Sequence, residues 1–151
     1  MKPYNPLEKR NLGVSVADAL LTRPLVPLPP SERFEGAGVY AIYYHGTNPL
    51  YASLAEQDRD DPGRTPIYVG KAVPPGSRKG GLGLDAPPGR VLYDRLDEHA
   101  NSIKSVRGFS LAHFTCRFLV VDDIWIPLGE SLLIEMFCPV WNKALDGFGN
   151  H

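Results

Sequence analysis

Cysteine, net charge and long apolar runs are all scarce in this chain of 151 residues. Its two cysteines, Cys116 and Cys138, are too few for a disulfide framework and form no CxxC pair, so both are predicted to be small buried apolar side chains. No apolar segment is long enough to cross a bilayer, and the polar, proline-interrupted start does not resemble a signal peptide. These absences argue against membrane-embedded and disulfide-rich proteins and favour a cytoplasmic globular domain.

The net charge of −1 argues against a generally basic nucleic-acid-binding protein. The charge is unevenly distributed, however, because residues 71–107 carry seven basic side chains against four acidic ones. A local basic stripe of this kind can hold a polyanion on a neutral protein, although an ordinary solvated surface explains it equally well.

The first 35 residues are predicted to form a helix and a proline-rich strap ahead of the main domain, residues 36–151. Residues 15–21 have a helical pattern with Ser15 as a possible N-cap, and residues 23–30 contain four prolines, which exclude a regular helix. The chain ends in a polar, glycine-containing segment that is typical of the middle of a loop, so a further C-terminal portion is expected to be missing.

The main domain is predicted to be α+β, with a small mixed or antiparallel three-stranded sheet flanked by helices. Strands are predicted at residues 39–44, 67–70 and 114–121, the last of them central, and helices at 90–103 and 129–138. The first two strands should pair as a hairpin that carries a long polar loop, residues 45–66, at its tip. Residues 74–89 form a second long loop, and a loop of this length in a compact domain is usually functional.

A set of polar residues follows this framework in a fixed order. Gly38-Val39-Tyr40 and Tyr68-Val69-Gly70 flank the hairpin; Lys71 follows directly; Arg95 and His99 lie four apart on one helix; Glu130 and then Pro139-Val-Trp-Asn142 come last. In this order the residues resemble the GIY-YIG nuclease superfamily over roughly residues 36–142. The resemblance implies a DNA nuclease in which a tyrosine activates the attacking water.

Elementary chemistry assigns a role to each member of the set. Alternation along paired strands lets Tyr40 and Tyr68 point to one face, and Arg95 can clamp a phosphate with its planar fork of donors. Glu130, predicted in the first turn of its helix, is the expected ligand for Mg²⁺ or another divalent cation. Tyr40, Tyr68 or His99 could take the proton from water if a neighbour such as Lys71 lowers the tyrosine pKa, and Tyr40 is preferred. Asn142 is expected to support the site by hydrogen bonding.

Each residue also has an ordinary structural interpretation. The tyrosines could be strand aromatics, Arg95 a surface residue paired with Asp94 or Glu98, and His99 a satisfied histidine at the helix edge. Glu130 could stabilise the start of a helix, in which case Glu135 could replace it as the ligand. The joint occurrence of all these residues, in this order, favours the nuclease.

The two long loops resemble insertions in stand-alone type II restriction endonucleases of the superfamily, which build sequence recognition into the nuclease domain. By this resemblance Arg78 and Lys79 are candidate DNA contacts, with solvated loop charges as the alternative. Cutting both strands of a palindromic double-stranded site predicts a homodimer, as expected in a restriction-modification system. The alternatives are a structure-specific repair or mobile-element nuclease and a non-catalytic DNA-binding module that keeps the fold.

Overall fold

A computed structural model describes residues 1–74 and 88–144, which form five α-helices and four β-strands. In chain order these are α1 (Lys9–Leu21), β1 (Val26–Pro27), β2 (Gly38–Tyr44), α2 (Ala52–Asp60), β3 (Tyr68–Ala72), α3 (Val91–Lys104), β4 (Phe114–Val120), α4 (Ile126–Phe137) and α5 (Val140–Ala144). The predicted α+β class, with a sheet flanked by helices, is confirmed. The N-terminal helix is longer than predicted and is not capped by Ser15, since it begins at Lys9. The division at residue 35 remains a prediction.

The sheet has the order β1-β4-β2-β3 and is antiparallel throughout. The predicted hairpin of β2 and β3 is confirmed, and β4 lies inside the sheet as predicted. The count of three strands was one short, because Val26 and Pro27 of the strap pair with Cys116 and Thr115. Proline is tolerated there because β1 is an edge strand, where a missing N–H leaves no gap in the ladder.

The prediction of an irregular loop over residues 45–66 is wrong, since this insertion contains α2. The Asn48 side chain starts the helical segment by accepting a hydrogen bond from the Leu50 amide at 3.0 Å. The buried Asp58 carboxylate holds the far end, accepting from the Gly63 amide at 3.0 Å. The helix has only two buried residues, Ala55 and Asp58, so it lacks the apolar periodicity that marks a helix in a sequence.

Both faces of the sheet are covered, because all seven residues of β2 are buried. Tyr40, Ile42 and Tyr44 share one core with residues of α2, α3 and α5. Val39, Ala41 and Tyr43 share the other core with residues of α1 and α4. We call these the α3 face and the α4 face. The helix that carries Arg95 and His99 and the helix that carries Glu130 therefore lie on opposite faces of the sheet.

The two cysteines differ in their surroundings. Cys116 is buried as predicted, and its burial raises the pKa of its thiol to about 12. Cys138 is exposed, so the prediction of burial is wrong for it; it ends α4 in a left-handed conformation with a φ of 44°. Within residues 1–74 and 88–144, no helix is long and apolar enough to cross a membrane.

Candidate active site

Two phenols and an imidazole meet on the α3 face of the sheet. The register places Tyr40 opposite Gly70 and Ile42 opposite Tyr68, so Tyr40 and Tyr68 are diagonal neighbours with ring centroids 6.2 Å apart. The expectation that both point to one face is confirmed. His99 reaches them from α3, and its fully buried ring lies 5.3 Å from that of Tyr40 and 5.1 Å from that of Tyr68. The Tyr40 hydroxyl oxygen lies 2.5 Å from His99 Nε2, so the phenol donates to this nitrogen when the nitrogen carries no proton.

Gly70 provides the space in which the Tyr40 ring lies. A Cβ atom at position 70 would collide with the hydroxyl and ring carbons of Tyr40, its direct cross-strand neighbour. The sequence analysis treated this glycine only as part of a motif and missed its packing role. A small residue opposite a large aromatic one was the available signal, but using it requires the strand register.

Gly70→Ala is therefore expected to displace the Tyr40 ring. We expect a loss of about 1–3 kcal/mol in the free energy of unfolding, the usual cost of overpacking a buried site. Urea unfolding of the variant measures this loss. In a Tyr40→Ala background the same substitution should cost much less, because the colliding atoms are gone. An equal cost in both backgrounds would show that the ring does not depend on this space.

Burial controls the electrostatics of both phenols. Desolvation raises the pKa of Tyr40 well above 10.0, and Tyr68 and Glu130 raise it further while the positive charge of Arg95 lowers it. The pKa of Tyr68 is also raised, first by desolvation and then by Glu130, against opposing effects of Arg95 and of the Tyr40 hydrogen bond. The expectation that a neighbour such as Lys71 lowers a tyrosine pKa is wrong in this ligand-free state. Neither phenol is ionised at neutral pH.

Both site tyrosines should thus resist alkaline ionisation. In a spectrophotometric titration, Tyr40→Phe and Tyr68→Phe are expected to leave the absorbance change near the ordinary tyrosine pKa of about 10 unaltered. Because the folded pKa exceeds the unfolded one, each phenol stabilises the fold below about pH 10, and this contribution is lost as the pH rises further. Loss of signal near pH 10 in either variant would contradict the raised pKa of that tyrosine.

Lys71 and Glu130 form an ion pair on the α4 face. Lys71 pairs with Val39 in the register, so its side chain points away from the phenols, and its Nζ donates to Glu130 Oε1 at 2.8 Å. The Glu130 side chain is 18% exposed and that of Lys71 40%. Glu130 was predicted in the first helical turn, which is wrong, because α4 begins at Ile126. Glu130 is therefore too far along the helix to gain much from the helix dipole.

Glu135, the alternative ligand, lies elsewhere. Its carboxylate is 62% exposed and accepts from Arg10 of α1 at 3.0 Å. No described contact joins it to the tyrosines or to Lys71. The structure therefore places Glu130, and not Glu135, near the other predicted site residues.

The two groups approach each other around the edge strand β3. No described strand lies beyond β3, so side chains from the two faces are separated there by a single strand. The charge of Glu130 raises the pKa of both Tyr40 and Tyr68, and Arg95 acts on the same two phenols from α3. The carboxylate is thus within electrostatic reach of the phenols, although its helix packs on the other face. The expectation of one common face is wrong for Lys71 and Glu130.

Asn142 holds the outer edge of β3. Its side-chain oxygen accepts from the Val69 amide at 2.9 Å, and its side-chain nitrogen donates to the Val69 carbonyl at 2.8 Å. The amide of Trp141 donates to the Ile67 carbonyl one pair further along. Asn142 therefore replaces a missing neighbouring strand and fixes the segment that carries Tyr68 and Lys71. Arg78 and Lys79 lie outside the described residues.

The donor set at Glu130 fits a hard divalent cation. Within the described part of the chain, no group of three or more histidine, cysteine, aspartate or glutamate side chains is arranged to hold a metal ion. A cation at Glu130 would therefore take most of its ligands from water and phosphate oxygens. Mg²⁺ commonly binds in this way, through one or two carboxylates and substrate phosphates.

Comparison with known proteins agrees with this arrangement. No curated protein matched the chain. The family model described as the Eco29kI GIY-YIG domain matches residues 32–151, which include both tyrosine tripeptides, Arg95, His99 and Glu130. The chain therefore belongs to the Eco29kI GIY-YIG domain family, a restriction-endonuclease branch of the GIY-YIG nuclease superfamily.

Proposed function

We propose that the chain is a type II restriction endonuclease that hydrolyses phosphodiester bonds in double-stranded DNA with the help of Mg²⁺ or a similar divalent cation. The approach of the phenol–imidazole cluster and the Lys71–Glu130 pair around the edge of β3 is the observation that supports this proposal most directly. The match to a restriction-endonuclease branch supports sequence-specific cleavage over repair of DNA structures.

Proton transfer from the attacking water is assigned to Tyr40 and His99. Tyr40 has an acceptor for its own proton, His99 Nε2 at 2.5 Å, so it can take the proton of water as it passes its own to the imidazole. This relay does not need a standing tyrosinate, which agrees with the raised pKa of Tyr40. Oxygen from water bonds to phosphorus, and the bond to the 3′ oxygen breaks.

The developing negative charge is shared among the remaining residues. Arg95, on the same helix face as His99, is assigned to a phosphate oxygen, where a guanidinium can donate two hydrogen bonds. Glu130 would hold the divalent cation, which supplies charge neutralisation at the phosphate and at the leaving oxygen when bound. Asn142 fixes β3 and so positions Tyr68 and Lys71 without contacting DNA.

Sequence recognition is assigned to the second insertion, with Arg78 and Lys79 as DNA contacts. The first insertion is less suited to this role, since residues 45–66 carry four acidic side chains against two basic ones. We assign residues 1–35 a supporting role, because α1 packs against α4, the helix that carries Glu130. Cutting both strands of a palindrome calls for a homodimer, and residues 36–151 form the nuclease domain in this proposal.

Digestion of a sequenced plasmid with Mg²⁺, followed by mapping of the ends, tests the proposal. Discrete fragments that disappear with a chelator are expected, and light scattering with a cleaved palindromic duplex should give the mass of two protein chains. A smear, or a preference for branched substrates, would support a repair or mobile-element nuclease instead. Binding to DNA without cleavage would indicate a non-catalytic module.

A further inference from the structure

Lys71 occupies the same carboxylate that the proposed function assigns to the metal ion. We propose that Lys71 acts as an internal competitor: its ammonium holds Glu130 in the DNA-free protein, and a DNA phosphate draws it away. Metal and DNA would then bind with positive coupling, so the site would be completed only on DNA. This inference rests on the proposed function, because it takes Glu130 as the metal ligand.

The geometry suits an exchange of partners. The Lys71 ammonium donates to Glu130 Oε1 at 2.8 Å, and the lysine side chain is 40% exposed, so it borders solvent on the side that DNA can reach. Lysine carries its charge on a flexible four-carbon stem and can turn from a carboxylate to a phosphate without a change in the backbone. Glu130 is only 18% exposed and remains in place on α4.

A divalent cation and the Lys71 ammonium cannot both use this carboxylate without cost. Placing them side by side on Glu130 would bring like charges close together, so binding of the metal must displace or repel the ammonium. Within residues 1–74 and 88–144, no cluster of three metal-binding side chains offers another site. Competition at this one carboxylate should therefore control the affinity of the DNA-free protein for metal.

Phosphate oxygens of DNA would also ligate the metal directly and so produce coupling by themselves. The binding of metal without DNA separates the two causes, since direct ligation by phosphate is absent there. Removing the lysine charge should strengthen metal binding in the DNA-free protein only if Lys71 competes.

The chain offers a matched control on the same helix. Arg10 donates to Glu135 of α4 at 3.0 Å, so Arg10→Met also frees a carboxylate on α4 by removing one positive charge. Both side chains of this pair are more exposed than those of Lys71 and Glu130. Arg10→Met should thus leave the affinity of the proposed metal site unchanged.

Calorimetric titration of the full chain with Ca²⁺, which also prefers oxygen ligands, tests the inference. Without DNA, Lys71→Met is expected to bind Ca²⁺ about five- to tenfold more tightly than the wild type, as relief of a partly exposed ion pair allows. Lys71→Gln serves as a second variant if Lys71→Met fails to fold. Anisotropy of a labelled mixed-sequence duplex should show that Ca²⁺ strengthens DNA binding less in Lys71→Met than in the wild type, as linkage requires.

Glu130→Gln separates failure of this inference from failure of the proposed function. If Glu130→Gln weakens Ca²⁺ binding while Lys71→Met leaves it at the wild-type value, Glu130 is the ligand and the competition is refuted. If Glu130→Gln binds Ca²⁺ as the wild type does, the metal assignment itself is wrong. An equal gain in Arg10→Met and Lys71→Met would reduce the effect to net charge and also overturn the inference.

Discussion

Glu130→Gln is expected to lower the rate of metal-dependent DNA cleavage by at least about a thousandfold, or ~4 kcal/mol in the activation free energy. The substitution keeps the shape of the side chain but removes the charge that would hold the cation. It also removes the hydrogen-bonded ion pair with Lys71, which is partly exposed and contributes at most about 1 kcal/mol to stability. Single-turnover cleavage of plasmid with Mg²⁺ measures the loss, and thermal unfolding checks that the variant folds.

Glu135→Gln is the matched control for this experiment. It removes a carboxylate from the same helix, five positions further on, where the side chain contacts Arg10 on the surface. Cleavage should continue at close to the wild-type rate. If Glu135→Gln abolished cleavage and Glu130→Gln did not, the metal would belong on the outer side of α4 and the proposed site would be wrong.

Tyr40→Phe and His99→Gln should each slow cleavage by about 10²–10⁴-fold, the usual contribution of a positioned acid or base. Their effects should not add, because the proposed relay needs both the phenol and the imidazole nitrogen 2.5 Å away. The double variant is therefore expected to be about as slow as the slower single variant. Single-turnover rates of the four proteins, compared as a double-mutant cycle, measure this coupling.

Tyr44→Phe controls for the loss of a buried hydroxyl. Tyr44 lies on the same strand and face as Tyr40, but its hydroxyl accepts from the Asn48 amide, so its removal should reduce stability and not the cleavage rate. Tyr68→Phe tests the other phenol. Strong coupling of His99 to Tyr68 and none to Tyr40 would transfer the relay to Tyr68, the more exposed of the two tyrosines.

Local patterns predicted those features that depend on neighbours in the chain. Alternation placed Tyr40 and Tyr68 on one face of a hairpin, and a spacing of four placed Arg95 and His99 on one face of α3. These predictions required only the repeat of a strand or a helix. The helix α2 was missed for the same reason, because its two buried residues give no period that a sequence reveals.

The family match, the hairpin and the single helix face were thus accessible from the sequence alone, since each depends on local order along the chain. Only the tertiary structure decided that Glu130 approaches from the opposite face, that Lys71 holds its carboxylate, and that burial raises the pKa of both phenols. These features depend on which face α4 covers and on how much water the packed helices exclude. Both are set by contacts between residues far apart in the sequence, and no periodicity within one segment encodes them.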